Sequence, residues 1–300
     1  CELSRGLGDV YKRQIINTWL DRGVIERVES LSDKRIISPI QLVKNEGGKC
    51  RLCLDAFIVN KFTRNRKNKY MLQDMKRLMN ILWRTKISGV RVQKGDLESY
   101  FQQIFITPHS RALFTFDWKG AAYQYRTMPF GWALAPFIAQ KCLELPMTYL
   151  AVKHGWITNV FIDDFLVIGE KKILLKLLNE LALKIKVEKC EWDVEMGRDI
   201  EYLGLVMNIE ERTLTIERRK RGKLIRNIST TIETIKELGT YCVKPMEKVV
   251  GKLGFYSVAM ERAGKRESIS NLSRIVSYAR NNVKRTKEEI GEDLWYMVNE

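Results

Sequence analysis

Residues 160–169 read VFIDDFLVIG. Two adjacent carboxylates, Asp163 and Asp164, interrupt a run of strand-forming apolar residues, with Val160, Phe161 and Ile162 before them and Phe165, Leu166, Val167 and Ile168 after them. Burying one unpaired carboxylate is costly, and two side by side add like-charge repulsion. Strand-type residues on both sides of a short polar break predict a tight hairpin with buried arms and both acids at its tip. The repelling pair calls for a cation, and a divalent metal holds carboxylates better than a protein ammonium does.

A second acid has similar surroundings. Residues 94–106 read KGDLESYFQQIFI, where Asp96 leads into Leu97, Phe101, Ile104 and Ile106. A carboxylate at a strand end, beside a hairpin tip carrying another, would form a cage for divalent ions. Two Mg²⁺ ions about 3.5–4 Å apart would there activate a 3′-hydroxyl and stabilise a leaving pyrophosphate. Mg²⁺ takes only one or two carboxylates plus substrate phosphates, so few acids suffice. Taken alone, an Asp-Asp pair also suits a solvated turn; the apolar flanks and the second acid favour the cage.

The rest of the chain narrows the class. Its 300 residues suit about two domains, and a hydrophobic content of 45% supports a sizeable core and excludes global disorder. The net charge of +16, from 52 basic against 36 acidic residues, points to a polyanionic partner, nucleic acid first and an acidic membrane surface second. No apolar run approaches the roughly 18–20 residues of a spanning helix; of the two polyanions, nucleic acid is the expected partner and a membrane is not. Six scattered cysteines give no disulfide framework, which suits a reducing, intracellular compartment without separating cytoplasm from nucleus. Cys50 and Cys53 form a lone C-x-x-C; zinc needs four ligands, so a buried pair of small apolar residues is the better reading. With only His109 and His154, histidine-based catalysis has little room. Residues 1–14, CELSRGLGDVYKRQ, are Gly-rich and polar with no apolar period, resemble a non-native scar, and are set outside the fold.

Periodicity then predicts the elements. Helical spacing marks residues 15–25, with Ile15, Trp19 and Leu20 on one face, and residues 70–83. Short strands at 36–43 and 51–54 flank the turn 45–48, and a hairpin joins 113–116 to 123–126 across residues 117–120. Pro136 opens a helix running toward Lys153 and kinked at Pro146. An amphipathic helix covers 171–185 with Leu174, Leu177, Leu178 and Leu181 inward, and another hairpin joins 202–207 to 213–216. Beyond about residue 210 helical spacing takes over and Arg218, Arg219, Lys220, Arg221 and Lys223 cluster, which places the main boundary there.

At this point the chain resembles the retroelement reverse transcriptases, in an ordered series over residues 15 to about 260. SPIQLVKNEGGKCRLCLDAFIVNKFT (38–63) looks like the fingers segment of gypsy-like and DIRS-like retrotransposons, and GDLESYFQQI (95–104) like the first catalytic motif. MPFGWALAPFIAQ (128–140) resembles the template- and nucleotide-contacting motif, and FIDD (161–164) the aromatic-x-Asp-Asp motif. KCEW (189–192) and YLGLVMN (202–208) resemble the next two, the second being the primer grip; VVGKLGFYSVAMERAGK (249–265) suggests the DIRS-like branch.

The resemblance implies an α+β right hand: an antiparallel-sheet palm and β-rich fingers over residues 15–209, then a helical thumb or connection over 210–300. It implies an RNA-directed DNA polymerase that extends a primer with dNTPs on an RNA or DNA template, using two Mg²⁺ ions or Mn²⁺ as a substitute. Asp96 and Asp163 would ligate the metals, with Asp164 a weaker ligand or orienter. Phe101, five residues after Asp96, would lie under the sugar and clash with a 2′-hydroxyl. Lys44 and Arg51 match the basic fingers residues that hold the incoming triphosphate. Phe130 and Gly131 fall in the nucleotide-contacting motif, where a glycine lets backbone approach nucleotide or template; a plain turn before Pro136 explains Gly131 nearly as well. Lys189 matches a lysine that protonates leaving pyrophosphate. Tyr202, Leu203 and Gly204 would hold the primer end, although a core strand also explains Leu203. The basic cluster would grip a template–primer duplex without reading its sequence.

Some features depart from the family pattern. Residue 161 is Phe rather than the commoner Tyr, the stretch from Asp164 to Lys189 is short for the DIRS-like branch, and no RNase H domain is recognisable before Glu300, which suggests a fragment. Two other readings stay open: an inactive, basic nucleic-acid-binding relic, and an RNA-dependent RNA polymerase, against which Phe101 and the fingers segment argue. The oligomeric state is not legible.

Overall fold

The computed structural model describes residues 5–29, 35–44, 50–63, 75–84, 91–238, 243–259, 270–274 and 276. The chain divides into two compact units. One comprises Cys1–Asp74 with Arg91–Asp193, the other Met75–Val90 with Val194–Glu300. The division thus falls at Asp193, ahead of the compositional change near 210. Among the described residues no helix is long and apolar enough to cross a membrane.

The first unit begins with α1 (Arg5–Asp21), β1 (Ile25–Val28), the hairpin β2 (Ile40–Lys44) and β3 (Cys50–Leu54), and the short α2 (Phe57–Thr63). The next helix, α3 (Met75–Arg84), belongs to the second unit. The first unit then resumes with β4 (Val92–Asp96), β5 (Thr115–Trp118), β6 (Ala121–Tyr125), α4 (Ala135–His154), β7 (Ile157–Phe161), β8 (Asp164–Ile168), α5 (Lys171–Glu180) and β9 (Glu191–Val194). Helix α1 starts within the segment set aside from the fold; Val10 and Tyr11 there are exposed, and burial begins at Ile16 and Trp19.

Four strands in the order β7-β8-β4-β9 form the sheet that matters most. β8 lies between two neighbours, and Phe165, Leu166 and Val167 are fully buried, which explains why its sequence is a continuous apolar run rather than an alternation. β4 pairs with it antiparallel from Val92↔Ile168 to Asp96↔Asp164. Gly95 lets the two strands close, because a Cβ there would overlap the Phe165 ring and come within 2.8 Å of Cys190 Sγ. α4 covers the unit's core with Ala139, Leu143, Met147 and Leu150, and it ends at Gly155, whose φ of 67° makes a left-handed C-cap.

A second sheet, β1-β6-β5, and the β2–β3 hairpin complete the unit. The β5–β6 turn consists of Lys119 and Gly120, at φ 53° and 77°, the pattern of a type I′ hairpin. The expected strands therefore shift, and residues 108–114 form a 3-10 helix instead. The expected turn at 45–48, and residues 70–74 of the expected helix, lie outside the described residues.

In the second unit, β10 (Ile200–Tyr202), β11 (Leu205–Asn208) and β12 (Thr213–Ile216) form an antiparallel sheet, followed by α6 (Arg218–Leu238) and α7 (Val243–Tyr256). α6 buries Leu224, Ile228, Thr231 and Ile235; α7 buries Met246, Val249, Leu253 and Tyr256. Both sets recur at three- and four-residue steps, as one helix face requires. Glu217 caps α6 by accepting the Arg219 and Lys220 backbone N–H at 2.7 and 2.9 Å.

Two expectations need correction. α5 ends at Glu180, not 185, because Ala182 takes a left-handed φ of 53°; Leu181 is consequently exposed rather than inward. Cys50 and Cys53 are free and only half-buried, because β3 leaves both at the partly exposed positions of its pattern while Leu52 and Leu54 fill the core.

Candidate active site

The β7–β8 hairpin closes through Phe161↔Asp164, leaving Ile162 and Asp163 as its two turn residues. Ile162 sits at φ 59°, a rare conformation for a β-branched residue. The turn is fixed against β4: the Leu97 N–H donates to the Asp163 carbonyl at 2.9 Å. Asp96 and Asp164 are directly opposed on the ladder. The three acids that sequence reading singled out are thus brought together from two segments about 70 residues apart.

Asp96 is 5% exposed. Its Oδ2 accepts from Lys189 Nζ at 2.5 Å, and the Lys186 N–H donates to its carbonyl at 2.7 Å. Its Oδ1 is buried with no hydrogen-bond partner. Burial, then the charge of Asp96, pushes the Asp163 carboxyl up, with its own backbone N–H and Lys189 opposing. Burial and the charges of Asp163 and Asp96 push Asp164 up to about 6, with Lys189 and Lys94 opposing. The hydrogen bond to Asp96 and the surrounding acids hold Lys189 protonated. Lys189 is bonded to Asp96 and Lys94 is paired with Glu191 at 2.7 Å, so the carboxylates still outnumber the ammonium groups near them, and a buried carboxylate oxygen lacks a donor. This donor set fits a hard divalent cation. Among the described residues, no three His, Cys, Asp or Glu side chains by themselves enclose an ion; Mg²⁺ needs no such full protein cage.

Asp96 and Asp163 open into a cleft of about 750 Å³ whose lining also includes Lys189, Phe101, Phe130 and Arg51. The Phe101 and Phe130 rings lie 5.0 Å apart, tilted by 30°. The Arg51 guanidinium lies 5.7 Å from the Phe130 centroid. The result is a row of cation, ring and ring beside the carboxylates. Lys44 pairs through its backbone with Cys50; its side chain lies outside the described residues.

Gly131 has φ 110°, and a Cβ there would overlap the Leu54 carbonyl oxygen. The close approach it permits is to the chain's own β3, where the Leu54 N–H also donates to the Phe130 carbonyl at 2.9 Å. Asn60 on α2 completes this clamp, donating to the Gly131 carbonyl at 2.9 Å and accepting the Ala133 N–H at 2.8 Å.

Tyr202, Leu203 and Gly204 belong to the second unit. Leu203 and Gly204, at φ 54° and 79°, form the two-residue β10–β11 turn. A Cβ on Gly204 would come within 3.1 Å of Tyr256 Oη and 3.3 Å of Lys220 Cγ, so this turn packs against α6 and α7.

Three supporting residues were not singled out from the sequence: Asn60, Tyr100 and Gln140. Tyr100 is buried and donates to the Ala139 carbonyl at 3.0 Å. The signal for Gln140 was present, an amide directly after the small and apolar run Ala135–Ala139, but its partners become visible only in the fold.

An antiparallel sheet with paired acids at a hairpin tip, beside a basic and aromatic cleft, is the arrangement of a polymerase palm. Residues 43–207, more than half of the chain, match the family model described as "Reverse transcriptase (RNA-dependent DNA polymerase)", and the chain belongs to that family. It is 28% identical over 121 residues to the retrovirus-related Pol polyprotein from transposon gypsy of Drosophila melanogaster, covering 38% of this chain and 11% of that protein. The corresponding protein of transposon 412 is 25% identical over 203 residues, covering 63% and 15%. The enzymatic polyprotein of Cauliflower mosaic virus (strain Strasbourg) is 23% identical over 252 residues, covering 77% and 34%. The chain thus spans a minor part of these relatives' length. Among solved structures, the foamy viral protease-reverse transcriptase bound to double-stranded DNA superposes with a TM-score of 0.66 at 19% identity, over 96% of this chain and 46% of that one. Its complex with an RNA/DNA hybrid gives 0.62 at 20%, over 97% and 37%. These likenesses establish the right-hand α+β fold.

Proposed function

We propose that the chain adds deoxynucleotides to a primer under the direction of an RNA or DNA template, as the reverse transcriptase part of a mobile element's Pol polyprotein. The observation that carries this reading is the meeting of Asp96 and Asp163 in one cleft with the Arg51, Phe130 and Phe101 row. Asp96 and Asp163, helped by Asp164, would hold divalent magnesium, for which manganese is a substitute. Bound there, such ions supply activation of a primer 3′-hydroxyl and neutralisation of charge at the leaving pyrophosphate.

The chain's own residues do the rest. Arg51 presents a planar fork to triphosphate oxygens, and release from Phe130 leaves it free to do so. Phe101, backed by Phe130, presents a ring edge where a 2′-hydroxyl would sit. Lys189 keeps a proton on Nζ beside Asp96 and would pass it to the leaving pyrophosphate. Lys44 would add a second cation to the triphosphate. The Tyr202–Gly204 turn would hold the primer end, and Arg218, Arg219, Lys220, Arg221 and Lys223 would contact duplex phosphates. The foamy viral relatives bound to double-stranded DNA and to an RNA/DNA hybrid support a duplex as partner.

Primer extension on RNA and DNA templates, with dNTPs and Mg²⁺, tests the proposal. Extension on both is expected. Duplex binding with a steep salt dependence but no extension would show a nucleic-acid-binding relic instead.

A further inference from the structure

Gln140 of α4 is fully buried, and both ends of its amide are used on the hairpin that carries the acids. β7 lies at the edge of its sheet. Gln140 Nε2 donates to the Val160 carbonyl at 2.9 Å, and its Oε1 accepts the Ile162 N–H at 2.7 Å. A primary amide here replaces one peptide group of a strand that the sheet does not have. Ile162 is the residue at φ 59°, and Asp163 follows it directly. A β-branched residue does not hold that conformation unaided; its surroundings must over-determine it. One residue earlier on α4, the Ala139 carbonyl accepts the Tyr100 hydroxyl, and Tyr100 lies four residues after Asp96. Consecutive α4 residues therefore bolt both acid-bearing segments to one helix.

We infer that Gln140 is a positioning residue, whose amide holds Ile162 in its left-handed conformation and so sets where Asp163 stands relative to Asp96. Only a side chain that donates and accepts at once can do this; an apolar one of equal length makes neither the bond to the Val160 carbonyl nor the bond from the Ile162 N–H. The inference rests on the reading of these acids as a metal-holding pair.

The test compares wild type, Gln140→Leu, Ile162→Gly and the double variant, reading Mn²⁺ affinity by EPR titration alongside primer extension. Gln140→Leu is expected to weaken Mn²⁺ binding about tenfold and to lower kcat by a similar factor, the usual scale for losing a partner that orients metal ligands, with KM for dNTP little changed. Glycine adopts the left-handed conformation freely, so the double variant should recover most of that loss. If Gln140→Leu does not fold, Gln140→Met, unbranched and of the same length, is measured in its place. Unchanged Mn²⁺ affinity in a folded Gln140 variant, or a double variant as weak as the single, would overturn the inference. Wild-type protein that binds Mn²⁺ without extending a primer would refute the polymerase reading alone, and the Mn²⁺ shift would still decide the role of Gln140. Wild-type protein that binds no Mn²⁺ would overturn both.

Discussion

Asp96 on β4 and Asp164 on β8 stand directly opposite each other, and the turn between β7 and β8 places Asp163 beside them. Like charges directly opposed across a ladder destabilise it. The residues that follow Asp164 on the same strand, Phe165 to Ile168, are buried, so the core of the first unit offsets this cost.

That cost depends on pH. The Asp164 carboxyl moves from its ordinary 3.8 up to about 6, and Asp163 also moves up. Between these values the folded state binds a proton that the unfolded state does not, so stability falls as pH rises from about 4 to about 6 and stays reduced above. With metal removed by EDTA, Asp164→Asn should therefore stabilise the protein at pH 7.5 by about 1–2 kcal/mol, after allowance for partial solvent screening, and by close to nothing at pH 4. Urea unfolding at the two pH values measures this, and an equal effect at both would contradict the crowding of the acids.

Gly131→Ala should destabilise the first unit by about 2–4 kcal/mol, since the new methyl meets the Leu54 carbonyl at a backbone conformation that alanine disfavours. Urea midpoints report it. A variant within about 0.5 kcal/mol of wild type would mean that the loop and β3 are not in contact.

Phe101→Ala should narrow the preference for dNTPs over NTPs by about 10–100-fold in kcat/KM, on the scale by which pocket shape discriminates small groups. Phe130→Ala should narrow it less, because Phe130 packs on the Phe101 ring and the proposed gate is Phe101 itself. Single-nucleotide incorporation kinetics measure both, and an unchanged ratio in Phe101→Ala would place the gate elsewhere.

Arg51→Ala should raise KM for dNTP about tenfold or more, and Arg51→Lys should recover only part of that, since an ammonium lacks the planar fork and stacks less well on Phe130. Full rescue by lysine would reduce Arg51 to a point charge.

Much of the palm was legible because its signals are local. The unbroken apolar run after Asp164 marks a central strand, and two acids set into such a run are too costly to bury without a cation to hold. What failed depends on single backbone conformations. Ala182 stops α5 early although the leucine spacing continues, and Lys119 with Gly120 forms a two-residue turn where a four-residue one was expected. Gly131 was legible as a point of close approach, but the group approached is Leu54, which no spacing in the sequence indicates. Gln140 and Asn60 act through partners 20 and about 70 residues away, so their roles appear only once the chain is folded.

The most direct measurement is primer extension by Asp163→Asn beside wild type, on the same template–primer and at saturating Mg²⁺. Loss of about a thousandfold or more in kcat, with duplex affinity preserved, is predicted if Asp96 and Asp163 share the metal-holding role. Extension by Asp163→Asn at the wild-type rate would contradict the account.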